Sequence, residues 1–142
     1  MSNTSLINFG YAIIETDLKR LKNYKSLNED LDKIFSIVNK PWMEFGKIID
    51  EQRMIYQETD IICYKRRGPV SSHGLSPASG IRLIYAIVKK STFIPLLLFL
   101  ASEESKYPLR ICKDMVKKRI CDFGDAIANS SQPQMAKPQL LP

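Results

Sequence analysis

The chain is poor in the residues that build metal centres, disulfide scaffolds and membrane spans. Its 142 residues include one histidine and three cysteines, and no two cysteines form a CxxC pair. His73 with Cys63, Cys112 and Cys121 lacks the spacing of the usual zinc sites. Neither a metal nor another cofactor is therefore expected. An odd cysteine count, without the charged-then-apolar start of a secretory signal, argues for reduced thiols in a cytoplasmic protein, all three packed as small hydrophobes. The apolar run from Phe93 to Ala101 is nine residues long, too short to cross a bilayer, so no membrane partner is expected.

What the chain does have is charge of one sign and a substantial apolar fraction. Lys and Arg number 21 against 15 Asp and Glu, a net charge of +6, and 44% of residues are hydrophobic. The length and apolar content fit one domain with a real core plus a tail. The positive balance suits a polyanionic partner: nucleic acid, an anionic membrane or an acidic protein.

Phe9 to Glu15, rich in Tyr and Ile, reads as a short strand. Thr16 or Asp17 can cap a short helix carrying Leu18 and Leu21. Ser26-Leu27-Asn28-Glu29 has the form of a capping box, and Leu27, Leu31, Ile34, Phe35 and Val38 follow at helical spacing until Pro41. Trp42 to Tyr56 reads either as further helix or as a long connection. Three strands are expected at 60–67, 80–88 and 92–101, the middle one central because it is apolar on both faces apart from Arg82. Pro95 must lie at an edge, a start or a bulge, which would let the third strand begin near Leu96. The loop 68–79 reads as a mobile excursion. Pro108 opens a last helix with Leu109, Cys112, Val116 and Ile120 on one stripe. Lys113, Lys117, Lys118 and Arg119 lie off that stripe, and Gly124 ends it. Residues 1–124 are thus expected to form one domain and 125–142 a disordered tail. The order is strand, two helices, three strands, helix: an α+β fold with helices against an antiparallel-rich sheet.

Cations stand where apolar strands would not need them. Lys65 and Arg67 are two apart, so they share a face, roughly 6.6–7 Å apart. Arg82 joins them if the two strands pair. The cluster reads either as a phosphate clamp or as solvated strand ends.

Four places carry a resemblance over roughly residues 11–120. They are Asp17-Leu18-Lys19-Arg20-Leu21 before the long helix; Cys63-Tyr64-Lys65-Arg66-Arg67; Ser79-Gly80-Ile81-Arg82-Leu83-Ile84-Tyr85; and an apolar strand running through a polar turn to Tyr107. In this order they resemble the RelE/HigB-type toxins of bacterial toxin–antitoxin modules. The resemblance implies a RelE-like fold, with N-terminal helices on one sheet face and a basic C-terminal helix. It implies a metal-independent endoribonuclease that cuts messenger RNA, often on the ribosome, and is silenced by a cognate antitoxin. The turn Ser102-Glu103-Glu104-Ser105 departs from the family, where many relatives are basic. Acidic groups there are expected to repel phosphate.

RNA is cut without a metal when its own 2′-hydroxyl attacks the adjacent phosphate. The protein must then accept a proton, stabilise charge and protonate the leaving oxygen. Arg67 and Arg82 are expected to hold phosphate, and Lys65 is the candidate base or electrostatic partner. Tyr107, where the family often has tyrosine, would stack on a base or donate a proton. Arg66, Lys106, Lys113 and Lys117 are expected to grip RNA backbone. His73 reads as a general acid or as a solvated loop residue, and Tyr85 as core. The competing function keeps the fold without the chemistry: a protein that binds RNA or an antitoxin and does not cut.

Overall fold

A computed structural model describes residues 6–39 and 52–130. In chain order it contains β1 (Ile7–Asn8), α1 (Glu15–Arg20), α2 (Leu27–Val38), β2 (Gln52–Glu58), β3 (Ile61–Gly68), β4 (Ile81–Val88), β5 (Thr92–Leu100), α3 (Leu109–Asp122) and α4 (Gly124–Ser130). Short 3-10 turns lie at Ser71–His73 and Ala101–Lys106. The fold is α+β.

The sheet is mixed, with order β1-β5-β4-β3-β2. The pairs β2–β3, β3–β4 and β4–β5 are antiparallel, and β1 lies parallel to β5. β4 is central, as its two apolar faces require. Odd and even residues of β4 serve different layers. Ile81, Leu83 and Tyr85 pack with Ile14, Leu21, Leu27, Leu31 and Ile34 of the α1–α2 layer. Ile84, Ala86 and Val88 pack with Cys112, Val116 and Ile127 of the α3–α4 layer. Helices thus cover both faces.

Several elements differ from expectation. The first strand is Ile7–Asn8 rather than Phe9–Glu15, because Gly10 turns the chain with φ +94° and its N–H is held by the Asn8 side chain at 2.9 Å. β2 takes residues 52–56 of the ambiguous stretch, and residues 40–51, with Pro41 among them, lie outside the described residues. Ser26 does stand at the N-cap of α2, but no capping box forms. Its hydroxyl donates to buried Asp30 at 2.7 Å instead. β5 begins at Thr92, and Pro95 sits at a bulge: Tyr85 faces Pro95, Ile84 faces Leu97, and Leu96 is the extra residue. A bulge is one of the few sheet positions where a missing N–H costs nothing. The chain does not end its order at Gly124. α4 follows, with Ile127 buried in the core, while 131–142 lie outside the described residues.

β1 is too short to pair with all of β5, which leaves part of that strand's edge unpaired. Side chains fill the gap, as buried backbone groups require. Asp17 accepts from the Leu98 N–H at 3.0 Å and from both terminal nitrogens of Arg119, at 2.6 and 3.1 Å. Arg119 also donates to the bulge carbonyl of Leu96 at 2.9 Å, and Arg20 to that of Leu98 at 3.2 Å. Asp17 therefore does not cap α1. It pins α1, β5 and α3 to one another.

Among the described residues, no helix is long and apolar enough to cross a membrane. Cys63 and Cys112 are buried, as expected, but Cys121 is exposed. It lies one residue off the buried stripe of α3.

Candidate functional site

Antiparallel residues directly opposite one another share a sheet face. Arg67 faces Arg82, and Lys65 faces Ile84, whose side chain belongs to the α3 layer. Lys65, Arg67 and Arg82 therefore lie on the α3 face. On β2, Arg53 stands opposite Lys65 on that same face and is exposed. Arg53 went unnoticed in the sequence because β2 itself did.

The turn after β5 supplies the centre of the site. Glu104 Oε2 lies 2.8 Å from Lys65 Nζ and 3.2 Å from Arg82 Nε. The hydrogen bond from Lys65, with the charges of Lys65 and Arg82, holds the Glu104 carboxyl below its usual range against the opposing effect of partial burial. Glu104 stays ionised at neutral pH. The acidic turn thus sits on the cations instead of standing apart from them. Its neighbour Glu103 is turned the other way, accepting from the Leu100 N–H at 2.9 Å and pairing with Arg20.

Arg82 is only 5% exposed. Besides Glu104 it donates to the carbonyls of Pro77 at 2.9 Å, Ala78 at 3.0 Å and Ile81 at 3.1 Å. Its guanidinium is thereby committed to the protein, and it positions Glu104 and the loop. Gly80 makes that approach possible. A Cβ there would fall 2.3 Å from the Gly68 carbonyl and 2.9 Å from that of Ser76. The Ser-Gly-x-Arg sequence is thus a device for folding the loop back onto the arginine.

That loop is anchored at its other end too. Buried Asp30 accepts from the Ser71 N–H at 3.1 Å and its hydroxyl at 2.6 Å, and Ser26 accepts from the Ser72 N–H at 2.8 Å. An excursion of this length is tied down at both ends. His73 packs against Tyr24, 4.5 Å between ring centres with the rings tilted by 37°, and its Nδ1 lies 3.0 Å from the Ser72 hydroxyl. These contacts hold it at the start of α2, on the face away from Lys65.

Tyr107 does join the cluster. Its ring stacks flat on Phe99, 4.3 Å centre to centre at 6°, and Lys65 Nζ lies 5.6 Å from the Phe99 ring centre. Lys65, Arg82, Glu104, Phe99 and Tyr107 therefore form one patch, with exposed Arg67 at its margin. Arg67 has no ion-pair partner among the described residues.

The expected backbone grip is split. Arg66 points to the opposite face, where it is buried beside the α1–α2 layer and faces Leu83 across the ladder. It cannot reach RNA bound over Lys65, because adjacent strand residues point opposite ways. Lys106 is exposed in the turn, Lys113 is half-buried, and Lys117 is exposed with its ammonium 5.3 Å from the Tyr56 ring centre. Arg119 is consumed by Asp17. Tyr85 is core.

Among the described residues, no group of three or more His, Cys, Asp or Glu could hold a metal ion. Compared with protein-family models, with curated proteins and with solved structures, the chain matches none.

Proposed function

We propose that this protein is the toxin component of a toxin–antitoxin system, a metal-independent endoribonuclease acting on messenger RNA in the cytoplasm, with the ribosome as the place of cutting. The observation that carries the reading is the convergence of Lys65, Arg67, Arg82 and Tyr107, from three separate stretches of chain, on one end of the α3 face. Arg67 and Lys65 supply positive charge to the phosphate as it gains negative charge. Tyr107, backed by Phe99, offers a flat surface on which a base can stack. Arg82 acts from behind, setting the position of Glu104. Lys106, Lys113, Lys117 and Arg53 border the patch and suit the flanking backbone. The helix-covered sheet, with α1 and α2 on one face and basic α3 on the other, agrees with what the resemblance implies.

The second reading is a RelE-fold protein that binds RNA or a cognate antitoxin without cutting. It is favoured by the Glu104 carboxylate, which lies on two of the three cations. Inducible expression in a bacterium separates the two. Growth arrest relieved by Arg67→Ala, with transcripts ending in 2′,3′-cyclic or 3′-phosphate, supports the nuclease. Harmless expression with retained RNA binding supports the second reading, and 3′-hydroxyl ends sink the mechanism.

A further inference from the structure

We propose that Glu104 is the group that takes the proton from the attacking 2′-hydroxyl, an inference that rests on the endoribonuclease reading. The titratable and charged groups facing Glu104 are Lys65 from β3, Arg82 from β4, Cys112 from α3 and Tyr107 after the turn. Two of these are cations. Tyr107 is a phenol, and the Cys112 thiol is 1% exposed and donates to the Tyr107 carbonyl at 3.3 Å. Glu104 is the ionised acceptor of the cluster.

Its geometry fits the role. Oε2 is fixed by Lys65 and Arg82, so the carboxylate cannot swing away. Oε1 has no hydrogen-bond partner among the described residues, and the side chain is 41% exposed. One oxygen is anchored and the other is left without a bond on a part-exposed side chain. Lys65, paired with the carboxylate, serves as a charge for the phosphate rather than as the base.

The step balances within the substrate. Glu104 accepts the 2′-hydroxyl proton as the 2′-oxygen bonds to phosphorus. The bond from phosphorus to the 5′-oxygen breaks, the upstream strand ends in a 2′,3′-cyclic phosphate, and the 5′-oxygen takes a proton from water. Glu104 then returns its proton to solvent. The paired cations make Glu104 a weak base at rest. When charge builds on the phosphate, part of their field is offset by it, and the carboxylate's affinity for a proton rises at the moment of transfer.

The test uses an RNA transcript, with ribosomes present, and its all-2′-deoxy counterpart as a ligand that cannot be cut. Wild-type kcat/KM should be flat between about pH 6 and 8, because a carboxylate with a lowered pKa is already ionised. Glu104→Gln should lose on the order of 100-fold or more in kcat, and its rate should climb about tenfold per pH unit as hydroxide takes over. It should bind the deoxy strand at least as tightly as wild type, since a negative charge has left the phosphate site. A merely structural role for Glu104 would lower cleavage and deoxy-strand binding together and overturn the assignment. So would a wild-type rate rising steeply through pH 8, which needs no variant and would return the base role to Lys65. Equal activity of Glu104→Gln and wild type removes this assignment alone. An inert wild type removes the nuclease reading with it.

Discussion

Arg67 and Arg82 stand directly opposite each other in the β3–β4 ladder, and the sheet exposes the first while burying the second. Like charges placed this way repel. The repulsion is tolerated because Arg82 is turned into three carbonyls and the Glu104 carboxylate, away from its partner.

The two arginines should therefore fail differently. Arg67→Ala should leave the melting temperature unchanged, weaken RNA binding about tenfold and flatten its log–log salt slope by about 0.7. Arg82→Ala should unfold at lower temperature as well, because it removes three hydrogen bonds to carbonyls and strands the buried one of Ile81, at a cost on the order of 2 kcal/mol. Thermal melts alongside salt-dependent RNA titrations distinguish these outcomes. A loss of stability in Arg67→Ala equal to that in Arg82→Ala would contradict the burial pattern.

Asp17 and Arg119 should be strongly coupled. Removing Arg119 leaves the buried Asp17 carboxylate without its cation, at a cost of about 3 kcal/mol. Asp17→Ala also orphans the Leu98 N–H. Urea unfolding of Asp17→Ala, Arg119→Ala and the double variant should give a coupling energy above about 1 kcal/mol. Additive losses would mean that the pair contributes little.

Thiol reactivity should sort by burial. Cys63 is pushed up to about 12 by burial, aided by the Glu58 charge, and Cys112 is raised chiefly by burial. Cys121 is exposed. Ellman's reagent at neutral pH should modify one thiol on the native protein and all three after denaturation. Rapid native labelling of Cys63 would mean that the α3 layer opens readily.

Lys89 and Lys90 both adopt left-handed backbone, φ 53° and 58°, in the turn between β4 and β5. Side chains resist that region, and such turns favour Asn-Gly. Replacing the pair with Asn-Gly should raise stability by about 1 kcal/mol in urea melts without altering RNA binding, because the turn lies at the far end of β4 from Arg82.

The sequence was legible where one physical rule dominated. The apolar spacing of α2, the doubly apolar β4 and the breaker Pro108 each marked an element. β2 was not legible. Gln52-Arg53-Met54-Ile55-Tyr56-Gln57-Glu58 has a bulge between Met54 and Tyr56 that breaks its alternation. Strand periodicity could place Lys65 and Arg67 on one face, and pairing brought Arg82 to them. It could not reveal that Arg82 would be spent on loop carbonyls, since that depends on how closely the loop passes Gly80. Nor could it bring Glu104 to Lys65. Read along the chain, a glutamate pair after a strand is a repulsive feature. Only the 3-10 turn, which sends Glu103 towards Arg20 and Glu104 towards Lys65, makes it part of the site.

The pin between Asp17 and Arg119 spans 102 positions of sequence. Protein chains are made from the N-terminus at roughly 5–20 residues per second, so Asp17 waits on the order of 5–20 s for its partner. Through that interval the edge of β5 is absent or unsealed, and α1 carries a carboxylate with nowhere to settle. The finished platform for Lys65 and Glu104 depends on β5 and the turn beyond it, and so arrives late. A nascent copy cannot assemble this patch until the turn that carries Glu104 and leads to Tyr107 has been made, when Lys65 has already waited through about 40 further residues of synthesis.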